Sequence, residues 1–230
     1  MRSTLFIIIF FFSLMPALYS KEDITREFKG LKFSRVLING PFDVQLIRSD
    51  EEKVQITATD RFMRSFSLNS RGDQIILDFD EENWSANKGN IEIYYKELEE
   101  IEVEGAVNIT SNTSVTTKNL KMILEGVGKI DLDLKVEKLI VEIEGVGNIK
   151  LRGKCNYHKV TFEGLGNYDA RDLLCRNAMV EASGLGKVRV HASEKFIGST
   201  EGIGTIIYYG EPKYQEINSE GLGNIKSGNY

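Results

Sequence analysis

The stretch Val141 to Leu151, VEIEGVGNIKL, has the outline of a phosphate-binding loop: a strand-like run leads into Gly145-Val146-Gly147. Such a loop works when a helix follows, because the helix N-terminus must face the phosphates. Here Ile149-Lys150-Leu151 continues the strand pattern, and the motif occurs seven times. Neither a nucleotide nor any other cofactor is expected.

Calcium is the next chemistry to weigh, since glycine-rich repeats can hold it between turns when each turn supplies an oxygen ligand. The residue after the second glycine position runs Asn108, Lys129, Asn148, Asn167, Lys187, Thr205, Asn224, and its two lysines exclude a cation there. The residue before the first glycine runs Glu104, Glu125, Glu144, Glu163, Ser183, Glu201, Glu220. Stacked carboxylates repel one another. A solvated column, screened by lysines such as Lys129 and Lys150, is preferred over shared cations, so no metal site is expected.

Other reactive side chains are few. His158 and His191 stand far apart, and His158 falls in phase with Leu120 and Leu139, as a core histidine would. No Ser/His/Asp set or Cys-x-x-Cys spacing occurs, so no catalytic residues are assigned. Cys155 and Cys175 follow their motif glycines by 10 and 11 residues, which places them one repeat apart. A disulfide is permitted in an exported chain. Side chains stacked in parallel, however, lie farther apart than the ~3.8 Å Cβ separation that a bridge prefers. Two buried thiols are therefore expected over a bridge. Arg71-Gly72-Asp73 has the letters of an integrin-binding tripeptide and is read as a chance match in a turn.

The elements that position these residues come from the repeat. The first glycines stand at 105, 126, 145, 164, 184, 202 and 221, spaced 21, 19, 19, 20, 18 and 19 apart, and 13 of the chain's 21 glycines lie in the motifs. Between motifs the apolar residues alternate: Leu120, Met122, Leu124; Ile130, Leu132, Leu134; Leu139, Val141, Ile143. Period-two alternation marks strands with one buried face. A repeat of about 19 residues that cannot bury its own apolar face must stack on copies of itself. The expected fold is all-β: a parallel β-solenoid, right-handed β-helix-like, with coils ~4.8 Å apart. Val103, Leu124, Ile143 and Phe162 form one core column, and Ile109, Ile130, Ile149, Tyr168, Val188, Ile206 and Ile225 another.

The residue between the glycines forms a third column: Val127, Val146, Leu165, Leu185, Ile203 and Leu222, preceded by Ala106. Simple alternation points it outward, which makes an apolar stripe unusual for a monomer. It is then a surface for a partner or for a second copy. The alternative is that the corner breaks alternation and turns these residues into the core.

Residues 1–20 read as a secretory signal: Arg2, an apolar run from Leu5 to Phe12 extending through Met15, then Pro16 and a cut after Ser20. The run is shorter than the ~20 residues of a membrane span. Residues 21–30 form a leader or linker. Residues 31–100 form a less regular N-terminal β region, either capping coils or a small subdomain, with a polar loop from Asp80 to Gly89. Residues 101–230 form the regular repeats. The chain carries a net charge of −5, which becomes −6 once Arg2 is removed, and this argues against nucleic acid or an anionic membrane as partner. With two cysteines and three prolines it is not a disulfide-stapled scaffold.

The repeated Gly-x-Gly followed by Asn and Ile resembles the glycine-rich motif of the head GIN domain family of auto-transporter adhesins. Phe33 to Val44, with Asn39-Gly40-Pro41-Phe42-Asp43-Val44, is similar to that family's start. Tyr208-Tyr209-Gly210-Glu211-Pro212 is similar to its Tyr-x-Gly-x-Pro stretch. The family more often places a small residue between the glycines, so the apolar stripe is a departure from its pattern. The resemblance implies an exported bacterial β-solenoid with no catalytic residues to carry over. The function expected is adhesin-like binding of a protein or glycan at the cell envelope, whether periplasm, outer-membrane surface or secreted. The competing readings are a periplasmic scaffold or sensing module that forms homo-oligomers through the stripe, and a carbohydrate-active β-helix enzyme. The near-constant repeat length disfavours the enzyme, because it leaves little room for groove-forming loops.

Overall fold

The computed structural model describes residues 23–80 and 88–228. The segment expected to be a signal sequence, residues 1–20, and most of the loop expected before Gly89 lie outside them.

The chain runs β1 (Asp23–Lys29), β2 (Arg35–Asn39), β3 (Pro41–Arg48), β4 (Lys53–Thr59), α1 (Asp60–Ser65), β5 (Phe66–Arg71), β6 (Gln74–Phe79), β7 (Gly89–Tyr95), β8 (Glu100–Val103) and β9 (Ala106–Ser111). The repeats follow as β10 (Val115–Leu124), β11 (Val127–Ile143), β12 (Val146–Phe162), β13 (Leu165–Ala182), β14 (Leu185–His191), β15 (Lys195–Thr200), β16 (Thr205–Tyr209), β17 (Tyr214–Ser219) and β18 (Asn224–Ser227). From β8 onward neighbouring coils pair in parallel, so the fold is a β-solenoid.

Each coil has two layers joined at the glycine corner. Both core columns form as the alternation requires: Leu124 pairs in register with Val103 and Ile143, and Ile149 with Ile130 and Tyr168. The side chains are shut from solvent on both columns, from Val103 and Ile109 through Ile206. At the opposite corner the phase slips: Glu137-Lys138 are successive exposed residues between buried Val136 and Leu139. The long strands β11, β12 and β13 bend there and enter the second layer.

The repeat spacing of 20 between Gly164 and Gly184 has a local cause. The register between β12 and β13 shifts between Lys150 and Arg152: Lys150 pairs with Asp169, but Arg152 pairs with Asp172. One extra residue is accommodated as a bulge. That bulge also resolves the cysteines, whose offsets of 10 and 11 come into register as Cys155 opposite Cys175. They are joined by a disulfide with Cα atoms 4.6 Å apart. The expectation of two thiols is corrected: stacked parallel strands sit within the 4.4–6.8 Å Cα range of ordinary bridges.

The N-terminal region belongs to the same sheet but departs from sequence order. β2 lies between β6 and β8, and β3 lies between β7 and β9, so the first coil is inserted beneath the Glu100–Ser111 coil. Its corner glycine, Gly40, stacks under Gly105. The stretch expected as a linker contains β1, antiparallel to β4. Arg26 interrupts the apolar phase of Ile24 and Phe28 and hides that strand from a periodicity reading. α1 is capped by Thr59, whose hydroxyl accepts from the Phe62 amide, and it brings Phe62 onto Phe42 and Phe79. Phe66 and Phe28 complete an aromatic plug that closes this end of the solenoid.

Candidate interaction site

The glycine corner is built by close approach of backbones. A Cβ at Gly145 would lie 2.0 Å from the Gly126 carbonyl oxygen, and one at Gly164 would lie 2.0 Å from that of Gly145. No side chain fits at that column. The amides that a phosphate would need are already used: Gly145 N–H donates to Leu124 O at 3.0 Å, and Val146 N–H donates to Gly126 O at 3.0 Å. The second glycine is less constrained in the early coils. A Cβ at Gly147 would meet only side chains, Leu124 closely and Ile149 at ordinary contact distance, and Val107 occupies the equivalent place in the first repeat. At Gly166 the backbone takes φ +125° and a Cβ would lie 1.9 Å from Gly147 O, so glycine is required there.

With the backbone fixed, three exposed columns run side by side along the corner. The motif glutamates Glu104, Glu125, Glu144 and Glu163 form one edge. The residues between the glycines form the middle. Asn148, Asn167 and Lys129 stand on the other edge. Register places Val127, Val146, Leu165 and Leu185 on successive coils. The middle column is exposed throughout, at 56% for Val127, 47% for Val146, 47% for Leu165, 49% for Leu185, 62% for Ile203 and 83% for Leu222. Alternation therefore holds through the corner, and the alternative that packed these residues into the core does not apply. A shallow groove of about 670 Å³ runs beside the ladder, lined by Val127, Val146, Asn148, Asn167 and, at its end, Asp43 and Lys88. Lys88 Nζ and Asp43 Oδ1 are 3.0 Å apart.

Carboxylate crowding is visible on the neighbouring layer. Burial, then Glu100, Glu104 and Glu125, hold the Glu102 carboxyl above its ordinary range. Elsewhere lysines on adjacent coils relieve it: Lys121 pairs with Glu142 at 2.8 Å, and Lys159 with Glu181 at 3.3 Å. Among the described residues no three acidic, histidine or cysteine groups are placed to hold a metal ion.

The remaining sequence candidates sit apart from the corner. His158 is fully buried in register with Leu139, and its Nε2 lies 2.7 Å from the Tyr168 hydroxyl. Gly72-Asp73 make the two-residue turn of the β5–β6 hairpin, with Gly72 at φ +64°. The Asp73 carboxylate accepts from the Ser34 hydroxyl at 3.2 Å and lies 4.0 Å from Arg35, so it is tied to the fold. One feature escaped the sequence reading: Ile225, the last residue of its core column, is only partly buried, and Ile217 is 46% exposed. Their place in the last coil was the available signal.

The family model described as "Putative auto-transporter adhesin, head GIN domain" matches residues 32–212. A "putative adhesin" from Bacteroides fragilis superposes with a TM-score of 0.87 at 27% identity, over 90% of this chain and 98% of that one. A "putative lipid binding protein" from Parabacteroides distasonis shares the fold at a TM-score of 0.71 and 17% identity, over 91% and 98% of the two chains. A "putative adhesin" from Parabacteroides merdae does so at 0.62 and 15%, with the same coverage. No curated protein matches this chain.

Proposed function

This chain belongs to the head GIN domain family of auto-transporter adhesins, and on that premise we propose an exported, non-enzymatic, adhesin-like binding protein of the cell envelope. Its ligand, a protein or a glycan, docks along the glycine corner. The observation that carries this reading is the ladder from Val127 to Leu222, whose six large apolar side chains are all exposed in a single file. Isolated exposed apolar residues are ordinary, but a contiguous file of them marks a contact surface. From Val127 to Leu185 the ladder is held rigid because its backbone amides are hydrogen-bonded coil to coil. A preformed surface spends little conformational entropy on binding. The flanking amides Asn148 and Asn167 supply donors and acceptors suited to a peptide edge or a sugar hydroxyl.

Surface labelling of intact cells tests the location, and attachment of cells carrying Leu165→Asp with Leu185→Asp tests the site. Labelled protein and lost attachment are expected. A soluble periplasmic pool with no surface label would sink the adhesin reading. In that event the same variant examined by light scattering decides for a scaffold that oligomerises through the ladder, which requires its mass to fall.

A further inference from the structure

The two ends of the solenoid are finished differently. At the N-terminal end the outermost strands are β1 and β5, antiparallel to what lies beneath them, and α1 plugs the core. Arg26 stands in the core-facing phase of β1, between Ile24 and Phe28. A charge pointing inward on an edge strand blocks further pairing. Among the described residues nothing of this kind occurs at the C-terminal end. β17 pairs with β15 and β18 with β16, and among the described residues no strand covers their outer edges. All six residues of β17 are exposed. Ile217 is 46% exposed, whereas Val180, two coils below in the same core column, is fully buried.

We propose that this end docks onto the same end of a second copy, forming a closed two-fold dimer in which β17 and β18 each pair antiparallel with their own symmetry mates. The argument is one of register. Tyr214 N–H donates to Glu194 O and Glu220 N–H to Thr200 O, so the even-numbered residues of β17 bond inward. Strand alternation then leaves the N–H and C=O of Gln215, Ile217 and Ser219 facing outward. On β18, Asn224 N–H donates to Gly204 O and Gly228 N–H to Tyr208 O, which leaves Ile225 and Ser227 facing outward. A two-fold axis perpendicular to both layers must cross them at residues equidistant from the corner. Ile217 and Ile225 meet that condition, since each is four residues from Gly221. Ile225 indeed reaches beneath the β17 column: a Cβ at Gly198, the register partner of Ile217, would lie 3.3 Å from Ile225 Cδ1.

With the axis there, Ile217 and Ile225 each face their own mates as hydrogen-bonded pairs and extend the core across the junction. Glu216 then falls opposite Asn218, and Asn224 opposite Lys226. Moving the axis by one residue to Glu216 and Lys226 would set each of those charges against itself, which is destabilising. The contact uses the same patch on both copies, so it closes at two and does not grow into a fibre. Because the axis stands four residues from the corner, a dimer of this kind places its two apolar ladders on opposite edges, facing away from each other.

Sedimentation velocity of the purified chain at micromolar to millimolar concentration tests this. The mass of two copies is expected, reverting to one in Ile217→Lys and in Ile225→Lys, while Leu165→Asp with Leu185→Asp leaves it at two. Should a lysine variant misfold by circular dichroism, Ile217→Cys replaces it. Opposed hydrogen-bonded residues have Cα atoms about 5.5 Å apart, so this variant is expected to form a covalent dimer on oxidation, and Leu185→Cys is not. A one-copy mass at every concentration, a mass that climbs past two, or cross-linking at Leu185→Cys in place of Ile217→Cys overturns the proposal.

Discussion

His158 Nε2 lies 2.7 Å from the Tyr168 hydroxyl, with both side chains sealed in the core. Burial pushes the imidazole down to about 3 and the Tyr168 phenol up. The folded chain therefore keeps His158 neutral, while the unfolded chain takes up a proton near pH ~6.5. Above that value the two states bind equally and the group contributes no pH dependence. As pH falls towards the folded value, the unfolded state alone binds the proton, and stability drops by up to ~1.4 kcal/mol per unit. Urea denaturation at neutral pH and at about pH 4.5 should show this loss. His158→Leu should flatten it, since Leu120 and Leu139 occupy the same column on neighbouring coils. An equal slope in the variant would assign the acid sensitivity to other groups.

Gly145 and Gly147 look equivalent in the motif but face different obstacles. A Cβ at Gly145 meets backbone oxygen at 2.0 Å, whereas one at Gly147 meets the Leu124 methyl at 2.7 Å. A side chain can shift where a stacked backbone cannot. Gly145→Ala should cost roughly 3 kcal/mol or more, and Gly147→Ala roughly 1 kcal/mol, in the range for overpacked sites. Chemical denaturation of the two variants checks the order, and a larger cost at Gly147 would contradict the corner geometry.

The solenoid was legible because one set of columns repeats with little variation: Ile109, Ile130 and Ile149 occupy the same place on successive coils. The outward direction of Val146 followed from the same alternation. Three things were hidden, each for a physical reason. The insertion of β2 and β3 between later strands is a choice among equally good stacking partners, and no local residue encodes it. The bulge at Ala170-Arg171 leaves only a spacing of 20 in the sequence, yet it decides that Cys155 meets Cys175. The exposure of Ile217 reflects what does not cover it, and periodicity reports only what a residue could cover.

The disulfide joins residues 20 apart on successive coils, next to the bend where β12 and β13 change layers. Closing a loop of that size restricts the unfolded chain by about 3 kcal/mol. Reduction, or Cys155→Ala with Cys175→Ala, should lower the thermal midpoint without changing the circular dichroism at room temperature, because the coil-to-coil ladder persists on both sides. A midpoint indifferent to reductant would mean that the bridge adds nothing beyond the ladder.

Asp169 carries the bulge that sets this register. Burial pushes its carboxyl up, but hydrogen bonds from the Arg171 side chain and amide, with the Arg189 charge nearby, outweigh that and hold it below the ordinary carboxylate range. Arg171 Nε donates at 2.9 Å, and Arg189 Nη1 stands 3.7 Å away. Asp169→Asn keeps the shape and removes the charge, so at neutral pH it should cost about 1–2 kcal/mol, as for hydrogen bonds to an ionised acceptor. A carboxyl lowered by folding contributes stability that is present above its unfolded value and lost as pH falls through the folded one. The gap between wild type and variant should therefore close in acid, and taking the difference cancels the contribution of His158. Asp131 provides the contrast. Its pair with Arg152, at 2.7 Å, is more exposed, with 37% and 39% of the two side chains open to solvent. Pairs of that kind contribute well under about 1 kcal/mol. Asp131→Asn should therefore have the smaller effect, and a larger loss there than at Asp169 would show that the bulge is not held by its carboxylate.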